Sequence, residues 1–194
     1  MTRRWTLRLV AGLAAGAVVL SGCSERQEAS DTLPGADASP SASEPDLPPL
    51  GPPDLPMPAE ARTPTQDGAR AFFEYYIEVY NHAFASMDSF YFRDLGFNCA
   101  DCNLIADQLD SDMAAGLQYE GGSLRIDSMS PPSVEGNVAQ LALIFTQAPL
   151  TVTDSTTGES LRELSSGEVR SPSGGAVLAW QATRSTWVVT QWDA

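Results

Sequence analysis

Apolar and polar positions change their spacing once along this chain. Between Thr63 and Ser86 the apolar residues Ala69, Phe72, Phe73, Tyr76, Tyr80, Ala83, Phe84 and Met87 recur at helical spacing on one face. Glu74, Glu78, Asn81 and His82 fall on the other. Thr63 at the N-cap, Pro64 at the first helical position and Gln66 two residues on predict a helix running to about Ser86. Asp88 to Leu95 reads as a short second helix capped by Asp88 and broken by Gly96-Phe97-Asn98. Cys99 then opens a third helix to about Gln118, with Ile105, Leu109, Met113 and Leu117 in a row at i+4 spacing.

After Gly121-Gly122 the period becomes two. Ser123–Met129 alternates Leu124 and Ile126 with Arg125 and Asp127. Pro131-Pro132 and Glu135-Gly136-Asn137 predict a turn. Val138–Gln147 predicts the longest strand, apolar or small enough throughout to be covered on both faces. Leu150–Asp154 and Glu159–Leu164 read as a hairpin about Ser155-Thr156-Thr157-Gly158. Ser165–Gly175 reads as a loop, and Ala176–Ala182 with Thr186–Trp192 as a final hairpin. The expected class is α+β: a three-helix segment packed on a curved antiparallel sheet of about five or six strands.

The first third of the chain follows neither period. Arg3, Arg4 and Arg8 precede an unbroken apolar or small run from Leu9 to Leu20, which has signal-peptide length and is too short to span a bilayer. Leu20-Ser21-Gly22-Cys23 then reads as a lipobox, with residues 1–22 removed and Cys23 lipidated. The Arg3-Arg4 pair leaves general and twin-arginine export both open. Residues 23–64 carry ten of the 14 prolines amid Ser, Ala, Asp and Glu, so they are expected to form a disordered tether. The folded domain is expected at residues 65–194.

Charge narrows the partners. The 194 residues carry a formal charge of −14, all basic side chains are Arg, and loss of residues 1–22 takes the charge to −17. Such a surface is repelled by nucleic acid and by anionic headgroups, so the expected contact with the lipid bilayer is the Cys23 lipid alone.

Cys99 and Cys102 are left once Cys23 is assigned. Outside the reducing cytoplasm they are expected to form a structural disulfide. Their spacing also fits a redox motif, but no βαβ pattern surrounds them, and zinc would need two further ligands. The closed loop is so short that its stabilisation falls below the ~3 kcal/mol of a 15-residue loop. His82 is the only histidine, on the polar face four residues after Glu78. No metal site, no cofactor and no catalytic set is expected.

The order of these elements resembles the cone-shaped fold of nuclear transport factor 2, SnoaL and ketosteroid isomerase. More narrowly it is similar to a family of actinobacterial lipoproteins built on a domain of unknown function. The features shared are the lipobox, the Pro/Ser/acidic tether, Ala71-Phe72-Phe73-Glu74-Tyr75-Tyr76, the Cys99/Cys102 pair opening helix three, and Trp187-Val188-Val189 near the end. The resemblance implies an apolar pocket between helix one and the sheet mouth, bordered by Tyr76 and Tyr80, although a buried Tyr is also ordinary core chemistry. It adds a homodimer as an option. It does not match a general-base Asp to any position here, so no catalytic role is transferred.

The expectation is therefore a non-enzymatic lipoprotein, lipid-anchored on the extracytoplasmic face of the cell membrane, whose domain binds a ligand or an envelope protein. The alternatives are an isomerase- or hydratase-like enzyme with a buried carboxylate and Tyr in the cone, and a pocketless scaffold or dimerisation module. Replacement of Cys23→Ser is expected to release the protein from sedimented membranes. Continued sedimentation with the membrane fraction would remove the lipobox from the account.

Overall fold

A computed structural model describes residues 47–193. The lipobox and Cys23 lie outside the described residues. Three helices are followed by seven strands: α1 (Gln66–Ser86), α2 (Phe90–Leu95), α3 (Ala100–Ala114), β1 (Leu117–Gly121), β2 (Leu124–Met129), β3 (Ser133–Glu135), β4 (Val138–Gln147), β5 (Leu150–Asp154), β6 (Val169–Gln181) and β7 (Thr186–Asp193). The main sheet has the order β2-β4-β6-β7, with β3 also paired to β4, and β1 and β5 form a separate ribbon. All pairs are antiparallel. Register shifts in the β2–β4, β4–β6 and β6–β7 ladders mark the bulges that let the sheet curve. Among the described residues no helix is long and apolar enough to cross a membrane.

The core lies between α1 and the concave sheet. Phe72, Phe73, Tyr76 and Tyr80 of α1 are buried together with Phe92 of α2, Phe145 of β4 and Trp187 and Trp192 of β7. The burial of α1 is broader than a single apolar stripe, because Tyr75, Ile77 and Val79 are also covered. A strap made by residues 47–64 supplies part of that cover. This segment was expected as tether, yet Pro52, Met57 and Ala61 are buried. Few as they are, its apolar side chains pack into the core. Its backbone polar groups are also paired: Tyr75 Oη donates to Leu55 O at 2.8 Å, and Trp187 Nε1 donates to Thr63 O at 2.8 Å. Arg62 donates to the carbonyls of Pro48 (2.7 Å), Arg184 (3.0 Å) and Ser185 (3.3 Å), so one guanidinium ties the strap to the β6–β7 turn.

The helix boundaries differ from expectation in explicable ways. Thr65, not Thr63, caps α1, its Oγ1 accepting from Gly68 N at 3.0 Å. Thr63 instead ends the 3-10 turn Ala59–Arg62, and its carbonyl lies where a side chain on residue 68 would stand, 2.2 Å from the ideal Cβ position. Only glycine permits that approach. In α2 the Asp88 carboxylate accepts from Phe90 N, so the helix proper starts two residues later than read. α3 ends at Ala114 because Gly116, at φ +78, turns the chain out, and Leu117 then begins a strand rather than a last helical turn. Met113, read as a core position, is consequently exposed.

The main sheet holds five strands, within the five or six expected, and β1 with β5 forms a ribbon beside it. The Pro131–Asn137 turn contains β3. The loop predicted over Ser165–Gly175 mostly belongs to β6, since pairing with Leu143–Gln147 of β4 extends that strand back to Val169. Glu159–Leu164 is not a strand: it meets β5 through one bridge, Thr153 with Ser160, while β5 pairs with β1 along its length. β4 is not covered on both faces. Ala139, Leu141 and Leu143 are buried while Val138, Gln140 and Ala142 face solvent, because helices cover only one side of the sheet.

Arg62→Ala is expected to lower unfolding free energy by about 1–3 kcal/mol, the range for losing hydrogen bonds from a charged donor. It should also speed limited proteolysis within residues 47–61 ahead of the rest of the domain. Urea denaturation and a digestion time course measure both effects, and equal cleavage in both proteins would show that the clamp does not hold the strap.

Candidate functional site

One end of the domain is open. A cleft of about 910 Å³ lies where the C-terminal half of α1, the middle of α3 and the ends of β1, β2, β4, β6 and β7 converge. That volume is in the range of small-molecule sites. Its buried lining is apolar and aromatic: Tyr80 and Phe84 from α1, Leu109 from α3, Leu124 from β2, Phe145 from β4 and Trp192 from β7. Gln108, Asp112, Glu163 and Arg170 are its more exposed polar members, together with the exposed apolar Leu104, Leu164 and Val169.

Each wall is held by identifiable bonds. Asn81, expected on the solvent face of α1, is half-buried and grips β2 by accepting from Leu124 N (2.7 Å) and donating to Leu124 O (2.9 Å). The loop before β6 is folded back along β5 by Ser165, whose Oγ accepts from Val152 N at 3.0 Å, and by the Leu150–Ser166 bridge. At the β6 wall, Asp127 accepts from Thr146 Oγ1 (2.7 Å), pairs with Arg125 (3.0 Å) and faces Arg170 (3.6 Å). These contacts, the Thr146 hydroxyl first and the two guanidinium groups after it, hold the Asp127 carboxyl below its ordinary pKa.

The polar groups inside are few. Tyr80 Oη accepts from Gln147 Nε2 at 3.2 Å, and the same amide nitrogen donates to Gly122 O at 3.3 Å. The carbonyl can only accept, so it fixes which end of the Gln147 amide faces Tyr80. Among the described residues the Tyr80 hydroxyl proton has no acceptor. Burial, then the nearby Tyr119, pushes the Tyr80 pKa up, so this hydroxyl keeps its proton. Trp192 Nε1 is a second buried donor without an acceptor among the described residues. Across the cleft Tyr119 Oη donates to Asp112 Oδ2, and burial followed by that carboxylate raises the Tyr119 pKa.

The two tyrosines expected to border a pocket part ways. Tyr80 lines the cleft. Tyr76 does not: it is fully buried among Phe72, Phe73, Phe92 and Trp192. Its hydroxyl sits 2.4 Å from where a Cβ on Gly96 would stand, and it has no partner among the described residues. Cys99 and Cys102 are bonded, S–S 1.99 Å, and both are buried at the start of α3. Cys99 Sγ also accepts from Cys102 N at 3.1 Å, so the bridge doubles as the helix cap. His82 faces not Glu78 but Asp54 of the strap, at 3.2 Å. Among the described residues no three His, Cys, Asp or Glu side chains gather as a metal site. Trp192 and Gln147 were not singled out from the sequence. The only signal was that both end their strands, where a sheet mouth lies.

No family model matches the chain, and no curated protein is similar to it. Among solved structures it is similar to the intermembrane space region of the chloroplast protein ARC6, with 14% identity and a TM-score of 0.47 over 66% of this chain and 95% of that one. It is also similar to a nuclear transport factor 2-like superfamily protein from Salmonella enterica subsp. enterica serovar Typhimurium, with 13% identity and a TM-score of 0.41 over 66% and 90%. Both likenesses concern the arrangement of elements only.

The Asp127 network makes a pH prediction. A carboxyl held below its ordinary value stabilises the fold at pH above 3.8, and that contribution disappears as pH falls through the lowered value. Urea midpoints of the parent and of Asp127→Asn are expected to differ at neutral pH and to converge at the acid end. A gap that stays constant with pH would show that the charge of Asp127 is not what stabilises β2 against β6.

Proposed function

We propose that this protein is a membrane-anchored envelope lipoprotein whose domain binds an apolar ligand in the cleft without chemically transforming it. The observation that carries the binding half is the lining: a drug-sized hollow whose buried walls are aromatic and aliphatic. A pocketless scaffold has no use for such a hollow, and a core that excluded ligands would have closed on it. The non-catalytic half rests on the chemistry within reach. The cleft carboxylates Asp112 and Glu163 are among its less buried members, and Asp112 is engaged by Tyr119. The buried part offers a phenol, an amide and an indole, which orient a ligand more readily than they move protons.

The anchoring half rests on the N-terminal pattern of Arg3, Arg4 and Arg8, the short apolar run and Leu20-Ser21-Gly22-Cys23. Together these describe a fixed base, a spacer and a presented binding head.

Ile105, half-buried on α3, borders the cleft without belonging to the fully buried core. Ile105→Trp is expected to fill it. In titrations with the neutral dye Nile red, the parent should show saturable binding and Ile105→Trp a loss of at least about tenfold in affinity, or about 1.4 kcal/mol. Unchanged dye binding in the variant, or no saturable binding in the parent, would remove the cleft from the protein's function.

A further inference from the structure

One carboxylate in the cleft lining is aimed by neutral neighbours and keeps its charge. Asp112 stands on α3 one turn beyond Gln108 and two beyond Leu104, and all three line the cleft. Its Oδ1 accepts from Gln108 Nε2 at 2.8 Å, and its Oδ2 accepts from the Tyr119 hydroxyl of β1. Burial first, and this carboxylate after it, keep the Tyr119 proton in place, so the donor is fixed. An amide and a phenol orient a carboxylate without neutralising it, and about two of its four lone-pair sites stay open. Among the described residues neither Asp112 nor Glu163, the other acidic member of the lining, is in an ion pair. Aromatic rings lead up to Asp112. Tyr80 and Phe84, both buried on α1, stack at 4.2 Å, and Phe84 meets the half-buried Tyr119 at 5.4 Å. The row runs from the buried lining to the carboxylate that Tyr119 holds.

Arg170 is the basic member of the lining, and strand register directs its side chain elsewhere. Arg125, Thr146 and Arg170 are cross-strand partners on β2, β4 and β6, so their side chains share one face of the sheet. Phe145 and Gln147, on either side of Thr146, belong to the other face and line the cleft. On the outer face Arg170 Nε meets Asp127 at 3.6 Å, beside the Thr146 hydroxyl that donates to the same carboxylate. The charge of Arg170 is thus answered by Asp127, and that of Asp112 is not. Aromatic rings attract a cation to their faces, a carboxylate supplies its counter-ion, and low-dielectric walls focus the field of both. Resting on the proposed binding role of the cleft, we infer that its ligand is an apolar molecule ending in a substituted ammonium group. The ammonium lies against the Phe84 and Tyr119 rings beside the Asp112 carboxylate. The apolar body fills the hollow bordered by Leu109, Leu124 and Phe145.

The test uses the full chain with Cys23→Ser, so that no attached acyl group competes for the cleft. Calorimetry measures three probes of equal chain length below their aggregation limits: decyltrimethylammonium, decanoate and decanol. The ammonium is expected to bind at least about tenfold tighter than either of the others. Asp112→Asn should weaken it by about tenfold or more, the scale of a contact to a charged group, and leave decanol unchanged. Glu135→Gln removes the same charge from an exposed position on β3 outside the lining, and should leave all three probes unchanged. Phe84→Leu keeps the site apolar but removes a ring, and should lower the ratio of ammonium to decanol affinity roughly two- to tenfold. That ratio decides the question even if Asp112→Asn folds poorly. Decanoate binding as tightly as the ammonium, an equal loss in Glu135→Gln and Asp112→Asn, or an unchanged ratio in Phe84→Leu would overturn the cation assignment while leaving the cleft a binding site. Failure of all three probes, or their indifference to Ile105→Trp, would instead overturn the binding role itself.

Discussion

The indole of Trp192 is the contact on which the rest of the domain depends. Phe73, Tyr76 and Tyr80 of α1, Phe92 of α2 and Phe145 of β4 all place their ring centroids within 5.8–6.5 Å of it. Three of these pairs meet edge to face at 77° or more, the arrangement that aligns ring edge with ring face. Each such pair contributes ~0.5–1.5 kcal/mol beyond its burial, and these contributions do not simply add. The structural consequence is larger than the sum. One side chain, two residues from the end of the chain, joins two helices to the sheet and at the same time forms a wall of the cleft.

That double duty explains why the cleft stays open. α1 packs against the sheet through Tyr76 and its neighbours, and from Tyr80 onward it lines the cleft with Trp192 and Phe145. The pairing of β1 with β5, and not with the main sheet, leaves the mouth unclosed there. Two unpaired polar atoms stand on either side of this divide. The Tyr76 hydroxyl is pressed against Gly96 with no room for a partner, so its cost is borne by the core. Trp192 contributes to the lining of the hollow, while its Nε1 is buried without an acceptor among the described residues.

The strap is a second constraint on the same framework. Its proline content reads as a spacer, and by local composition that reading is sound. Leu55, Met57 and Ala61 nevertheless pack onto the core, and Arg62 and Tyr75 satisfy carbonyls that would otherwise need water. Disorder is a property of a segment alone, and docking is a property of the segment with its neighbours.

The sequence by itself determined the helices, because an apolar stripe of period 3.6 such as Phe72-Phe73-Tyr76-Tyr80 depends only on residues near in the chain. It determined the strong strands β2, β4 and β7 for the same reason, and it paired Cys99 with Cys102, which lie within one helical turn. Gly116 was a readable stop for α3, and the i+4 row through Leu117 masked it. Tertiary structure alone decided what distant partners impose: that β6 begins at Val169 because β4 offers it a ladder, that β5 pairs along its length with β1, and that Asn81 holds Leu124 across 43 positions. It also chose between Tyr76 and Tyr80. Both share the apolar face of α1 one turn apart, and only the rings packed around Tyr76 and the cleft beside Tyr80 put one in the core and the other in the lining.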